Sequence, residues 1–335
     1  MSVLVLAEQR EGAIHPTTYE LLARGRMLAD KLETPVNCAV IGCDPGEGGC
    51  SEIIYRGADA VYVVNEPASI DFRLPGAASR ALQRVIELTA PEIVVAAATT
   101  TGRTIMPLVA ARLRTGLTAD CTGLDIDDKE KLLLQTRPAI GGNIMATIKT
   151  PSARPQMATV RPKSWRPLER DASRRGVVRK VSLQGYELGP EAGCERLIDV
   201  VKDTTQEVSV QDAEIVVTGG KGVKNRDGFK LVEELAAALG AGVGATRDVV
   251  DLGWASYPHQ IGLSGKTVSP RLYIAVGVSG AVQHLAGMQT SETIVAINKD
   301  KDAQIFKVAD FGIVGDLFDV VPDLIARLKA EKAGR

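Results

Sequence analysis

The sequence predicts an α/β protein of two domains, an N-terminal parallel-sheet domain with added strands and a C-terminal doubly wound domain. Three observations lead there. Short β-rich apolar runs alternate with longer helix-period runs from Val3 to Leu113. The alternation stops in a stretch of Gly, Pro and polar residues and restarts beyond it. The length, 335 residues, exceeds what one hydrophobic core usually fills.

In the first half, Val3–Leu6, Val36–Ile41, Ala60–Val64 and Ile93–Ala97 read as strands. The helical runs Thr17–Leu32, Gly49–Tyr55, Leu74–Thr89 and Thr104–Leu113 follow them in turn. From Leu117 to about Val160 the runs shorten and are divided by Asp-Asp, Gly-Gly and Pro. Among them, Leu132–Thr136 and Ile144–Ile148 read as strands added on a sheet edge. The expected division is a first domain over 1–190, a linker over 191–206 and a second domain over 207–335. The wider segment from Gly185 to Gln206 is expected to act as a hinge for rotation of the second domain.

Composition removes several classes of function. With 40 Lys plus Arg against 41 Asp plus Glu the formal charge is −1, so the chain as a whole makes no case for nucleic acid or a membrane surface. Between Arg161 and Lys180 eight basic residues face two acidic ones, Glu169 and Asp171. With Trp165 the one interleaved tryptophan, the segment reads as a solvated strand and loop rather than a nucleic-acid site. The opening run Ser2–Ala7 is too short for a signal peptide or a span, which predicts no membrane insertion. Five cysteines, Cys38, Cys43, Cys50, Cys121 and Cys194, lack the spacing of a disulfide scaffold, as expected of a cytoplasmic, reduced protein. No Cys-x-x-Cys occurs, so no metal centre is expected and any redox group must be organic.

In the second half Ala213–Val217 reads as a buried strand, Gly219–Gly222 as a glycine loop and Asp227–Leu239 as a helix. A second unit follows in Leu272–Val276, the loop Gly277-Val-Ser-Gly280 and a helical run over Ala281–Met288. A third strand, Thr293–Ile297, ends in Asn298-Lys-Asp300. Three strand ends thus carry Gly, Ser, Asn or Asp where open α/β sheets bind ligands. A glycine loop between strand and helix lets backbone N–H groups approach a phosphate. Neither loop matches the full dinucleotide fingerprint or a Walker A loop, so each alone is equally a tight turn. Ser279, Gln283 and His284 fall in one loop and first helical turn, a convergent polar cluster. Gly-x-Ser-x-Gly and His-Glu-x-x-His are both absent, which argues against hydrolysis.

The stretch Ser269-Pro-Arg-Leu-Tyr-Ile-Ala-Val-Gly-Val-Ser-Gly-Ala-Val-Gln-His-Leu-Ala-Gly-Met288 closely resembles the FAD-binding signature of electron transfer flavoprotein alpha subunits. Ile294–Asp300, Ile305–Phe318 and Val320-Val-Pro322 resemble that family's C-terminal block. Val217–Gly222, Gly244-Ala-Thr-Arg247 and Gln260–Lys266 resemble its remaining FAD loops, and Leu117–Leu124 its N-terminal domain.

The resemblance implies an electron carrier with FAD in the second domain, a nucleotide-free first domain in contact with a beta subunit, and a flavin dehydrogenase, such as an acyl-CoA dehydrogenase, as redox partner. It implies that Arg247 lies against the flavin ring, that Ser264 bonds flavin N5, and that Gln283 and His284 lie by the ring. Lys221, Thr246 and Ser279 would serve the ribityl and pyrophosphate, and Asn298, Asp316 and Leu317 the adenosine end. Gln260, Ile261, Gly262 and Leu263, with Gly280, Ala281 and Val282, would complete the cofactor's surroundings.

Two departures stand out: Lys221 replaces an Arg common in the family, and Leu263-Ser-Gly265 replaces Gln-Thr-Gly. The second, with Gly253–Gln260, resembles members from anaerobes that bifurcate electrons, which would add NADH as donor and ferredoxin or flavodoxin as acceptor. The competing reading is a self-contained flavin- or nicotinamide-dependent oxidoreductase, which needs an acid or base the sequence does not offer.

Overall fold

The computed structural model describes residues 1–10, 12–66, 72–139, 145–186, 197–199 and 210–333. The chain forms two compact units, Met1–Val200 and Val201–Arg335. The linker expected over 191–206, and with it most of the expected hinge, lies outside the described residues except for 197–199.

In chain order the first unit runs β1 (Val3–Leu6), a small hairpin of β2 (Gln9–Arg10) and β3 (Ala13–Ile14), α1 (Thr17–Leu32), β4 (Val36–Ile41), α2 (Gly46–Tyr55), β5 (Ala60–Glu66), α3 (Pro75–Thr89), β6 (Ile93–Ala97) and α4 (Thr100–Leu113). Then follow β7 (Leu117–Cys121), β8 (Gly123–Ile126), β9 (Leu133–Pro138), β10 (Met145–Ile148), β11 (Gln156–Val160) and β12 (Val177–Ser182). Every residue of β1, β4 and β6 is buried, which suits strands covered on both faces. The sheet order is β12-β5-β4-β1-β6-β11-β7, all pairs parallel. One core packs α1 and α2 on one face, and a second packs α3 and α4 on the other.

The strands expected around Leu132–Thr136 and Ile144–Ile148 do not extend this sheet. As β9 and β10 they join β8 in a separate three-stranded antiparallel sheet. Their short connections permit antiparallel pairing, whereas joining a parallel sheet takes a long crossover. Helix α4 begins a turn earlier than its apolar period suggests, because Thr99 caps it by accepting from the Gly102 N–H at 3.2 Å.

The basic segment Arg161–Lys180 behaves as a solvated strand and loop. Its β12 is an exposed edge strand, and several of its cations pair within the unit. Arg161 bonds Asp120 at 2.6 Å, Arg170 bonds Glu52 at 2.7 Å, and Arg174 lies 3.2 Å from Asp59. Burial by itself would raise the Asp120 pKa, but the hydrogen bonds and charge of Arg161 and Arg103 bring it below the usual carboxylate value.

The second unit runs β13 (Ile215–Gly219), α5 (Arg226–Leu239), β14 (Gly242–Ala245), α6 (Arg247–Asp251), β15 (Leu272–Val276), α7 (Val282–Leu285), β16 (Thr293–Asn298), β17 (Phe311–Val314) and α8 (Leu317–Ala333). Its sheet order is β14-β13-β15-β16-β17, again all parallel. Helices α5 and α8 pack one face, while the other is covered by turns that bury Ile261, Val268, Met288 and Ile305. The helical run expected over Ala281–Met288 is a single turn, α7. Ala286 is its C-cap, and at Gly287 just beyond an added Cβ would lie 2.5 Å from the Gly262 nitrogen.

One acidic group in the first unit gives a test of the packing. Burial raises the Glu20 pKa to about 7, opposed by the Lys163 backbone N–H, which donates to it at 2.6 Å, and by the charges of Lys163 and His15. The unfolded chain releases this proton near pH 4.5 and the folded chain only near 7, so stability falls as pH rises through that window. Glu20→Gln keeps an acceptor for Lys163. In urea denaturation it is expected to stabilise the chain by about 1 kcal/mol at pH 8 and to leave stability unchanged near pH 4.5.

Candidate functional site

Strand register lines up the ligand-bearing ends of the second unit. Gly219 pairs with Ala245 on one side and Val276 on the other, and Val276 pairs with Ile297. The residues that follow, Gly220, Thr246, Gly277 and Asn298, therefore stand in a row at the carboxyl edge of the sheet. The order places the topological switch between β13 and β15, where such sheets hold ligands.

At that switch the two glycine loops cross backbone on backbone. The Gly220 N–H donates to the Val276 carbonyl at 2.9 Å and the Gly222 N–H to the Gly277 carbonyl at 3.0 Å. A Cβ on Gly220 would lie 2.3 Å from the Gly277 oxygen, and Gly277 itself sits at φ +63°. No residue but glycine fits that approach without moving a main chain.

The neighbouring loops are tied to this crossing. The Thr246 N–H donates to the Gly219 carbonyl at 3.0 Å, the Asn298 side-chain amide to the Val278 carbonyl at 2.8 Å, and the Ile305 N–H to the Ser279 carbonyl at 3.1 Å. The Leu263 N–H donates to the Gln283 carbonyl at 2.8 Å, which joins the Gln260–Lys266 loop to α7. Asp316 accepts from the Phe318 N–H at 3.0 Å, so its carboxylate caps α8.

What each expected residue presents follows from this scaffold. Lys221, Arg247, Ser264, Ser279, Ala281, Val282, Gln283 and Asp316 are exposed, and Thr246 and Asn298 are half-buried. Arg247 opens α6 with an ion pair to Asp251 at 3.2 Å. Ser264 accepts at Oγ from the Gln260 side-chain amide at 3.0 Å, which leaves its own hydroxyl proton for a ligand. Leu263 and Val282 are 70% and 50% exposed, two apolar surfaces on joined loops.

Four expected residues do not offer side chains to a ligand. Gln260 and Ile261 are buried, Leu317 packs into the core beneath Gly277, and His284 is 6% exposed. Both ring nitrogens of His284 are engaged within the protein: Nδ1 lies 3.0 Å from the Ile261 carbonyl and Nε2 2.9 Å from the Tyr273 hydroxyl. A carbonyl only accepts, so Nδ1 carries the proton and Nε2 accepts from Tyr273. Burial lowers the His284 pKa to about 4, opposed by the bond to Ile261, so the ring is neutral at pH 7. Sequence reasoning missed Tyr273. The available signal was a phenol inside an otherwise aliphatic buried strand, which must find a hydrogen-bond partner.

The first unit also has a switch point, between β1 and β6, and its chemistry is the opposite. There the Glu8 carboxylate, its pKa raised by burial, accepts from the Thr99 hydroxyl at 2.9 Å. A carboxylate in that place repels a phosphate. Among the described residues no group of His, Cys, Asp and Glu could hold a metal ion, and no helix is long and apolar enough to cross a membrane.

Comparison with known proteins matches this division. The profile of the electron transfer flavoprotein domain covers residues 3–185, and that of the electron transfer flavoprotein FAD-binding domain covers 209–289. The electron transfer flavoprotein subunit alpha of Thermoanaerobacterium thermosaccharolyticum is 48% identical over 98% of both chains. The chain belongs to the electron transfer flavoprotein alpha-subunit family. The same-named subunit of Megasphaera elsdenii is 42% identical over 98% of this chain and 97% of its own. Subunit LctC of a lactate dehydrogenase (NAD(+),ferredoxin) from Acetobacterium woodii is 40% identical over 98% of this chain and 77% of its own.

The FAD-binding domain profile falls on the unit whose loops converge, which makes it the flavin-binding unit. The glycine crossing gives the site its sharpest test. Gly220→Ala is expected to destabilise the chain by about 1–3 kcal/mol in urea denaturation and to weaken flavin binding at least about tenfold, since the loops must part to admit the methyl group.

Proposed function

We propose that this chain is the alpha subunit of a heterodimeric electron transfer flavoprotein that holds FAD on the carboxyl edge of its second unit. It would relay single electrons to a partner dehydrogenase in the cytoplasm. The observation that carries the reading is the convergence on that edge of glycine loops, the exposed cations Lys221 and Arg247, and the Ser264 hydroxyl. These residues fit a flavin dinucleotide. Backbone and Lys221 suit a pyrophosphate, and exposed Leu263 and Val282 suit the edge of a flat aromatic ring.

Bound FAD supplies the redox chemistry, taking up and releasing electrons. The chain's part is to hold and tune. Arg247, at the start of α6, would set a fixed positive charge against the ring and favour added electrons there. The Ser264 hydroxyl, oriented by Gln260, would donate to flavin N5. Ser279 and Thr246 would meet the ribityl and pyrophosphate, and Asn298 and Asp316 the adenosine. His284 would support the ring's surroundings from beneath as a neutral imidazole.

A beta subunit is the expected partner, because the family members named above are subunits by name. The Leu263-Ser-Gly265 loop and likeness to the LctC subunit favour the bifurcating type, with NADH as donor and ferredoxin or flavodoxin as one acceptor. The Glu8 carboxylate at the other switch point supports a first unit that serves as scaffold.

The test is a redox titration of the flavin-loaded pair. Arg247→Ala is expected to lower the potential for the first electron by roughly tens of millivolts, where about 59 mV is a tenfold change for one electron. An unchanged potential in a variant that still holds FAD contradicts the role given to Arg247.

A further inference from the structure

We propose that Tyr273 is a positioning residue for the flavin site, fixing His284 in one neutral tautomer and, through it, the loop that presents Ser264. This rests on the flavin reading of that site. Tyr273 lies on the central strand β15 with no exposed surface, and its hydroxyl meets His284 Nε2 at 2.9 Å. Its ring tilts at 52° to the imidazole, with centroids 6.2 Å apart. The other imidazole nitrogen meets the Ile261 carbonyl at 3.0 Å. The chain of contacts runs from the sheet core to the 260–266 loop by way of one histidine.

The direction of the hydrogen bonds is forced. Ile261 offers an acceptor, so Nδ1 must donate, Nε2 must accept, and the phenol must be the donor. Burial raises the Tyr273 pKa, which keeps that proton on the phenol. Remove the hydroxyl and Nε2 becomes a buried acceptor without a donor, free to take a proton itself or to exchange tautomers. In the second case the Ile261 carbonyl loses its donor. The loop is otherwise held by the Leu263–Gln283 and Ile261–Ala245 backbone bonds, by the paired groups of Gly262 and Lys266, and at Ser264 by the Gln260 amide and by the Tyr257 hydroxyl, which donates to the Ser264 carbonyl at 3.0 Å. The Tyr273–His284 relay is its side-chain link to β15, and Ser264 lies three residues beyond Ile261.

The chain has only three histidines, His15, His259 and His284, so imidazole nitrogen signals are readily assigned. Nitrogen NMR of the flavin-free full chain should show His284 protonated at Nδ1, bare at Nε2, and untitrated from pH 8 to pH 5. A wild-type His284 protonated at Nε2 overturns the proposal whether or not any variant folds. In Tyr273→Phe the Nε2 signal should move and begin to titrate at higher pH, and the FAD dissociation constant of the pair should rise about threefold to tenfold. In a His284→Asn background Tyr273→Phe should add nothing further, because the phenol acts through the imidazole. Unchanged His284 signals, or additive losses in the double variant, overturn it. A chain that binds no FAD at all would defeat the flavin reading, while the nitrogen signals would still decide the tautomer.

Discussion

The second unit depends on one constraint, the crossing of the Gly219–Gly222 and Gly277–Gly280 loops at the switch between β13 and β15. Main chain rests on main chain there, and the register of four strands delivers Gly220, Thr246, Gly277 and Asn298 to the same edge. Because the crossing has no room for a Cβ, it fixes where the two loops can stand. The loops carrying Arg247, Ser264, Gln283 and Asn298 are then hung from it by backbone and amide hydrogen bonds. The polar groups of the site are preorganised by backbone rather than by their own long side chains.

The two sheets show that a switch point is a place and not a function. Both units have parallel order that reverses, so both have a crevice. In the first, Glu8 and Thr99 close the end with a carboxylate and the hydroxyl that also caps α4. In the second, glycine, serine and cations leave it suited to an anionic dinucleotide. Beneath that edge Tyr273, His284 and Ile261 form a buried polar relay, with the buried Thr218 hydroxyl beside the phenol. A relay of that kind positions a loop without adding charge near it.

Much of this was legible in the sequence, for physical reasons. The runs Thr17–Leu32, Val36–Ile41, Ile93–Ala97 and Leu272–Val276 match the observed elements end for end, because buried parallel strands and amphipathic helices leave strong periodic signals. The fate of β9 and β10 was not legible, since which sheet a short strand joins depends on connections rather than on its own residues. The shortness of α7 was not legible either, and the close approach of Gly287 to Gly262 just beyond it is a tertiary contact between distant positions that no local pattern reports. At the site, motif likeness named the loops but not the direction each side chain takes. Ser264 and Arg247 face outward, while His284 and Leu317 turn into the core. Tyr273 escaped notice because a tyrosine in a buried strand looks like packing until its hydroxyl is seen to have a partner.

The carboxyl edge of the second unit is the proposed seat of the flavin. Hydrogen exchange of the alpha–beta pair with and without FAD tests it most directly, since amides that close on a ligand are slowed. Slowed exchange is expected at 219–224, 246–248, 260–266, 277–285 and 315–318, with residues 7–10 and 98–103 of the first unit unchanged. Slowing centred on the Glu8–Thr99 crevice, with the glycine loops unaffected, would contradict it.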